Sequence, residues 1–309
     1  MTPRLVALDW GTSSLRAWLL GDAGAVLAEK SAPLGILKVP NGDFAAVFRD
    51  VCGDWLAHSR PAIASGMIGS RQGWVEAPYA PCPAGFEALA RGLAWATTAD
   101  ARLAIVPGVS CVDASGVPDV MRGEETQVFG ALDAPDGTYV LPGTHSKWVT
   151  VAGGRIESFA THMTGELFAV LREHSILGRL MSVDAAHAPD AFRRGWETSL
   201  AGDDALLHRL FGTRTLGLFD QLAPVAAPSY LSGLLIGDEV RAAVRGLSES
   251  TVTVIGDPML CDRYGEVLAG SGVTARAAPP DSARIGLWRI AVEAGLVDGG
   301  RPPELHRQA

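Results

Sequence analysis

The stretch that decides the fold is residues 5–20, which read LVALDWGTSSLRAWLL. Leu5–Leu8 is a short apolar run of the kind expected for a buried β-strand, and residues 15–20 have the alternation of a second strand. Between them lies a polar turn, residues 9–14, which contains glycine, threonine and serine. Residues 25–30 predict a third strand. The first thirty residues are therefore predicted to form a β-meander with a polar first turn.

The same order of strand, polar turn, strand and strand recurs in residues 138–161. Setting Gly11-Thr12 against Gly143-Thr144 aligns both turns and both pairs of flanking strands. We interpret the pattern as a diverged internal duplication, and an internal repeat constrains the fold more strongly than any single element does.

Helical periodicity fills much of the remaining sequence. The predicted helices cover residues 44–55, 85–96, 124–132, 164–177, 191–201, 205–211, 231–244, 263–270 and 283–296. Further strands are predicted over residues 62–65, 103–107 and 252–255. Asp43 is the expected cap of the first helix. Strands and helices together indicate an α/β fold.

Composition excludes several classes of protein. The 309 residues are 48% hydrophobic and 19% charged, as in a compact globular chain. A net charge of -8 argues against a nucleic-acid partner, which needs a basic surface. The four cysteines are widely spaced, so a disulfide framework or a cysteine zinc site is not expected. No signal peptide or apolar run of membrane-span length is found, so we expect a cytoplasmic protein without a membrane partner.

The duplicated turns have the chemistry of a phosphate site. Small residues expose backbone N–H groups and hydroxyls, and two such turns can grip one triphosphate. Asp9 of the first turn corresponds to Leu141 of the second. A single carboxylate suits Mg²⁺ that already has phosphate ligands, although Asp9 could instead cap a hairpin turn. The candidate phosphate-binding residues are Gly11, Thr12, Ser13, Gly143, Thr144, His145, Ser146 and Lys147.

These motifs resemble those of a known superfamily. Residues 8–18 resemble the first phosphate motif of the sugar kinase, hexokinase, heat-shock-protein-70 and actin superfamily. Residues 142–148 resemble its second phosphate motif, and residues 254–258 resemble its adenosine motif. The resemblance implies two ribonuclease-H-like domains, with the nucleotide in a cleft between them.

Over essentially its whole length the chain resembles the 2-dehydro-3-deoxygalactonokinase family. The segments that carry this resemblance are residues 9–12, 65–69, 122–127, 143–148, 163–167 and 232–237. It implies phosphorylation of the terminal (6-) hydroxyl of 2-dehydro-3-deoxy-D-galactonate in galactonate catabolism, with ATP and Mg²⁺ as cofactors. It also implies nucleotide contacts at Gly233 and Gly256, and a homodimer is one option for the assembly.

The expected domains are residues 1–133 and residues 134–282. The family resemblance further implies that a C-terminal helix, residues 283–309, packs back on the first domain.

A catalytic base is expected in Arg122-Gly123-Glu124-Glu125. Related sugar kinases place an aspartate at a helix start just before the second phosphate turn, and this segment is the similar place. Glu124 is favoured because it directly follows the glycine, and Glu125 is the alternative. Both carboxylates could instead only stabilise the N-terminus of the helix.

An anionic acceptor needs a cation or backbone donors. Arg122 and Arg71 are the candidate ligands of its carboxylate, with Lys38 as a third, although each could be a surface charge. Residues Gly66, Met67, Ile68 and Gly69 form a loop that could let the acceptor approach backbone N–H groups, or an ordinary turn between a strand and a helix.

Two other functions remain open from the sequence. The chain could be a kinase of another sugar or sugar acid, with the same phosphate grip and a different acceptor site. It could also be a nucleotide-binding regulatory or chaperone-like ATPase that hydrolyses ATP without an acceptor.

Overall fold

The structure is a computed structural model that describes residues 2–56, 60–98, 101–132, 136–202 and 205–298. These residues fall into two compact units. The first comprises the chain up to Asp136, Thr150–Phe159 and the residues from Ala278 onward. The second comprises Gly137–Val149 and Ala160–Ala277. The domain boundaries expected from the sequence stay a proposal, because residues 133–134 lie outside the described ranges.

Both units contain strands and helices. The strands are β1 Leu5–Trp10, β2 Leu15–Leu20, β3 Val26–Ala32, β4 Ala62–Ser65, β5 Tyr79–Pro81, β6 Ala94–Thr97, β7 Arg102–Ile105, β8 Gly108–Val112, β9 Pro118–Met121, β10 Gly137–Leu141, β11 Ser146–Ala152, β12 Arg155–His162, β13 Thr251–Val254 and β14 Thr274–Ala277. The helices are α1 Phe44–Cys52, α2 Phe86–Arg91, α3 Glu124–Gly130, α4 Thr164–His174, α5 Pro189–Leu200, α6 Leu206–Leu218, α7 Ala227–Val244, α8 Pro258–Gly270 and α9 Ser282–Glu293.

The two main sheets repeat one topology. The first has the order β3-β2-β1-β4-β7-β6, and the second has the order β12-β11-β10-β13-β14. In the first sheet β2 is antiparallel to β1, β4 is parallel to both β1 and β7, and β6 is antiparallel to β7. In the second sheet β10, β13 and β14 are parallel. A meander followed by crossovers thus produces the strand order 3-2-1-4-5 twice, which confirms the predicted α/β class with two ribonuclease-H-like units.

The opening apolar run forms a strand at the centre of the first sheet. Leu5, Val6, Ala7 and Leu8 of β1 are completely buried, because elements cover both faces of the sheet. A strand that is buried on both faces reads as a continuous apolar run, which is why the alternation is missing there. The Asp43 side chain caps α1 as predicted, since its Oδ1 accepts a hydrogen bond from the Ala46 N–H at 2.9 Å.

The last described helix packs within the first unit. A Cβ at Gly286 of α9 would lie 1.9 Å from the Thr126 carbonyl oxygen of α3, so the two helix backbones touch there. Arg289 also donates a hydrogen bond to the Phe129 carbonyl oxygen at 3.1 Å. Helix α9 ends at Glu293, and residues 299–309 of the expected helix lie outside the described ranges.

Several sequence predictions were wrong in detail. The predicted helix over residues 85–96 ends at Arg91, because Ala94–Thr97 instead forms β6 and pairs antiparallel with β7. A three-stranded sheet of order β5-β8-β9, and the edge strand β14, were not predicted. These strands have three to five residues, and their pairing partners decide their conformation more than local propensity does.

No helix in the described part of the chain combines the length and hydropathy that a membrane span requires.

Candidate active site

Asp9 lies near the carboxyl end of β1, in the first unit. It is paired in register with Ser65 of β4 on one side and with Arg16 of β2 on the other. Arg16 Nη2 lies 2.7 Å from Asp9 Oδ2, and the Asp9 side chain keeps 19% of its surface exposed. The sequence analysis did not name Arg16 as a site residue. Its contact with Asp9 depends on the register of the β1–β2 hairpin, which the residue type alone does not reveal. Asp9 is thus an accessible carboxylate oriented by an arginine.

The first polar turn is closed and supported by backbone contacts. The Gly11 N–H donates to the Ser14 carbonyl oxygen at 3.0 Å, and Thr12 and Ser13 are exposed. The Ile36 N–H donates to the Gly11 carbonyl oxygen at 3.0 Å from behind the turn. This supporting segment was not found from the sequence, because its contact is made through backbone groups.

Two glycines bring three segments of the first unit together. Gly66 and Gly123 have φ values of 95° and 110°, in the region that favours glycine. A Cβ at Gly66 would lie 2.8 Å from the Trp10 carbonyl oxygen and 3.5 Å from Asp9 Oδ1. A Cβ at Gly123 would lie 3.1 Å from the Gly66 Cα. The end of β1, the loop after β4 and the start of α3 therefore lie close together. These three segments carry Asp9, residues 66–69 and Glu124, which the sequence named as candidate site residues.

Glu124 and Glu125 have different surroundings. Glu124 is partly exposed, and its Oε2 accepts a hydrogen bond from the Arg122 N–H at 3.0 Å. Glu125 is fully buried and accepts hydrogen bonds from the Gly123 N–H at 2.6 Å and from the Thr126 hydroxyl at 3.1 Å. Burial, followed by the neighbouring charge of Glu124, raises the pKa of Glu125 to about 8. A base must reach the proton it removes, so exposure favours Glu124.

Arg122 is a buried cation with unused donors. Its side chain is 8% exposed, Nη2 donates to the Ala77 carbonyl oxygen at 2.8 Å, and the guanidinium stacks on Tyr79 at 4.3 Å from the ring centroid. Within the described residues, Nε and Nη1 have no hydrogen-bond partner. Nη1 lies 3.0 Å from the Cβ position at Gly69. Buried donors without partners are costly, so this arrangement favours an anionic ligand here.

The other predicted ligands of the acceptor are placed differently. The Arg71 side chain is 87% exposed and pairs with Glu76 at 3.4 Å, and Lys38 is exposed. Neither arrangement presents a buried, unpartnered cation, so Arg122 is the better candidate. Ile68 is completely buried in the core, and the loop of residues 66–69 therefore offers backbone groups rather than the Ile68 side chain.

The second polar turn lies in the second unit. Thr144 and His145 are exposed, whereas Ser146 and Lys147 are buried. The Ser146 hydroxyl lies 2.8 Å from the Tyr264 hydroxyl, and Lys147 Nζ donates to the His145 carbonyl oxygen at 2.9 Å. Both side chains therefore make contacts that hold the turn from inside, and the phosphate contacts expected of Ser146 and Lys147 stay predictions.

The start of α4 supports this turn. The Glu166 N–H donates to the Thr144 carbonyl oxygen at 2.9 Å, and the His145 imidazole contacts the Glu166 carboxyl group. A Cβ at Gly165 would lie 2.4 Å from the Gly143 carbonyl oxygen. Residues 163–167 therefore pack against the second turn. The sequence alone did not distinguish this role from a helix cap.

The two glycines predicted to contact the nucleotide differ in their exposure to solvent. Gly256 is exposed, has a φ of 149°, and its Cβ position lies 3.5 Å from the Pro142 carbonyl oxygen beside the second turn. Gly233 is buried in α7, where a Cβ would lie 2.1 Å from the Phe192 carbonyl oxygen of α5. Close helix packing explains Gly233, so the predicted nucleotide contact at this glycine is corrected.

Asp9 is the carboxylate of the first turn that could hold a metal ion. Across the described ranges, no group of three or more His, Cys, Asp or Glu side chains could hold a metal ion. Arg16 bonds to Asp9 Oδ2, while Oδ1 faces Gly66. One carboxylate oxygen fits Mg²⁺ whose other ligands are phosphate oxygens and water.

The duplicated ribonuclease-H-like topology with two polar turns is that of the actin-like fold. The family model described as 2-keto-3-deoxy-galactonokinase matches residues 9–290. The chain belongs to this family.

Individual relatives agree with the family model. The 2-dehydro-3-deoxygalactonokinase of Escherichia coli (strain K12) is 37% identical over 92% of this chain and 95% of the relative. A protein of Rhizobium meliloti (strain 1021) assigned to the same activity is 38% identical over 91% and 94% of the two chains. The crystal structure of a Sinorhizobium meliloti protein with this assignment superposes with a TM-score of 0.82, at 36% identity, over 93% of this chain and 98% of the other.

Proposed function

We propose that this protein is an ATP-dependent kinase that phosphorylates the 6-hydroxyl of 2-dehydro-3-deoxy-D-galactonate, giving 2-dehydro-3-deoxy-6-phosphogalactonate. Family membership supports the reaction class. The observation that carries the acceptor class is Arg122, a buried guanidinium with two unpartnered donor nitrogens beside the loop of residues 66–69. An acceptor with a carboxylate would satisfy these donors, whereas a neutral sugar would bring no charge to balance them.

In this proposal Glu124 is the general base. Phosphoryl transfer needs a group that orients the acceptor hydroxyl and takes its proton, and Glu124 is the accessible carboxylate at the start of α3. Its hydrogen bond to the Arg122 N–H ties the base to the residue that would hold the acceptor carboxylate. The acceptor would thus be fixed at one end and activated at the other.

Each polar turn is proposed to donate hydrogen bonds to nucleotide phosphate groups. Exposed Thr12, Ser13 and Thr144, together with the backbone N–H groups of the turns, are the proposed donors. Asp9 would hold Mg²⁺ of the nucleotide, and the metal would neutralise charge on the transferred phosphoryl group. Gly256, beside the second turn, is the proposed adenosine-side contact.

A panel of acceptors tests the proposal. ADP release would be measured with 2-dehydro-3-deoxy-D-galactonate, other 2-oxo-3-deoxy acids, neutral sugars and no acceptor, using an Asp9→Asn variant as the inactive control. We expect turnover that requires both a 2-oxo-3-deoxy acid and Mg²⁺. Equal turnover without an acceptor would establish the ATPase alternative, and preference for a neutral sugar would refute the role of Arg122. The homodimer and the cytoplasmic location stay predictions.

A further inference from the structure

A buried polar cluster in the second unit has no part in the proposed chemistry. Its centre is the Glu239 carboxyl group on α7, which is 3% exposed. Oε1 accepts a hydrogen bond from Trp148 Nε1–H at 2.8 Å, and Oε2 accepts one from the Tyr264 hydroxyl at 2.7 Å and another from the Thr164 hydroxyl. Together with Ser146, which bonds to Tyr264, these residues are named the Glu239 cluster.

The three hydrogen-bond partners described for Glu239 belong to elements around the second polar turn. Trp148 follows the turn on β11, and Thr164 begins α4, which packs against the turn from behind. Tyr264 lies on α8, the helix that starts after Gly256. One carboxyl group on α7 therefore ties together three other elements, whose bonded residues lie 25 to 91 residues from it along the chain.

The cluster also sets the direction of the hydrogen bond to Ser146. A tyrosine hydroxyl carries one proton, and Tyr264 donates that proton to Glu239. The Ser146 hydroxyl, 2.8 Å from the Tyr264 hydroxyl, must then be the donor in their contact. Ser146 is completely buried, so this chain of bonds holds its side chain in one orientation at the end of the turn.

We propose that Glu239 is a positioning residue for nucleotide binding, which presets the second polar turn by holding Trp148, Thr164 and the Tyr264–Ser146 pair. The inference rests on the proposed function, in which this turn binds the nucleotide phosphates. A turn that is fixed before the ligand arrives loses less conformational entropy on binding, so the cluster contributes to nucleotide affinity without touching the nucleotide.

Calorimetric titration of two ligands tests the assignment. Dissociation constants for ADP with Mg²⁺ and for 2-dehydro-3-deoxy-D-galactonate would be measured with Glu239→Met, Tyr264→Phe and Glu239→Gln. Glutamine keeps its carbonyl toward Trp148, while its amide can donate to the two hydroxyls, so it retains most of the bonds. The matched control is Glu266→Gln, because Glu266 accepts a hydrogen bond from a different tryptophan of the same unit, Trp196 Nε1–H at 3.0 Å.

We expect Glu239→Met to weaken ADP binding about tenfold, Tyr264→Phe to weaken it severalfold, and Glu239→Gln to restore it to within about threefold. Acceptor affinity should stay within about twofold in all variants. Unchanged ADP affinity in Tyr264→Phe, or an equal loss of affinity for both ligands, would overturn the assignment. If Glu239→Met does not fold, the ADP affinity of Tyr264→Phe decides between the outcomes. Failure of the wild-type protein to bind ADP would instead refute the proposed function.

Discussion

Replacement of Glu125 by glutamine should change how stability depends on pH. In the unfolded chain this carboxyl group has its ordinary pKa of 4.5, whereas burial and the charge of Glu124 raise its pKa to about 8 in the folded protein. Between these values the folded state binds more protons than the unfolded state, so the free energy of unfolding falls as pH rises. The contribution is fully present below about pH 4.5 and is lost by about pH 8.

The size of the effect follows from the difference between the two pKa values. Each pH unit is worth about 1.4 kcal/mol, so this group removes at most about 5 kcal/mol of stability between about pH 4.5 and about pH 8. Glutamine is uncharged at every pH and can keep hydrogen bonds to the Gly123 N–H and the Thr126 hydroxyl. Glu125→Gln should therefore match the wild type near pH 5 and become the more stable protein near pH 8.

Urea unfolding followed by tryptophan fluorescence at about pH 5 and about pH 8 measures this difference. Comparison of wild type with variant cancels the titration of all other groups. Glu87→Gln is the matched control, because it is the same substitution at a side chain of the same unit that is 69% exposed. If the wild type and Glu125→Gln differ by less than about 1 kcal/mol at both pH values, the buried carboxyl group does not titrate as inferred.

Three further substitutions test the site. Glu124→Gln should lower kcat about 10²- to 10⁴-fold in steady-state kinetics, with little change in the KM for ATP, and near wild-type kcat would exclude it as the base. Arg122→Met should raise the KM for the sugar acid at least tenfold, because a charged hydrogen bond is worth about 1.5–3 kcal/mol, whereas the exposed Arg71→Met should not. Gly165→Ala places a Cβ 2.4 Å from the Gly143 carbonyl oxygen. We therefore expect the free energy of unfolding in urea to fall by about 1–3 kcal/mol and the KM for ATP to rise. Unchanged stability and KM would contradict the packing of α4 on the turn.

Much of the fold was predictable because its signals are local. The apolar run of β1, the polar turn after it and the repeat near Gly143 each lie within a few residues, and the duplicated meander followed from them. The third sheet was not predictable, because β5, β8 and β9 are short and gain their conformation from pairing across the chain. The same limit explains β6, which propensity assigned to a helix.

The site was predictable in its residue types and much less in their roles. Asp9, the loop of residues 66–69 and the acidic pair at the start of α3 were named from the sequence, and the structure brings these segments together. Sequence could not rank Glu124 against Glu125, because adjacent residues of one type differ only in what the folded chain packs around them.

By itself the sequence determined the strand–turn–strand repeat, the α/β class and the family, since these depend on residue order over short spans. Only the tertiary structure decided that Arg16 bonds to Asp9, and that buried Arg122 has donors without a partner among the described residues. It also decided that Gly233 serves helix packing and that Glu239 bonds to elements around the second turn. The physical reason is burial: whether a charged or polar group meets solvent, a ligand or a partner depends on segments that are far apart in the chain.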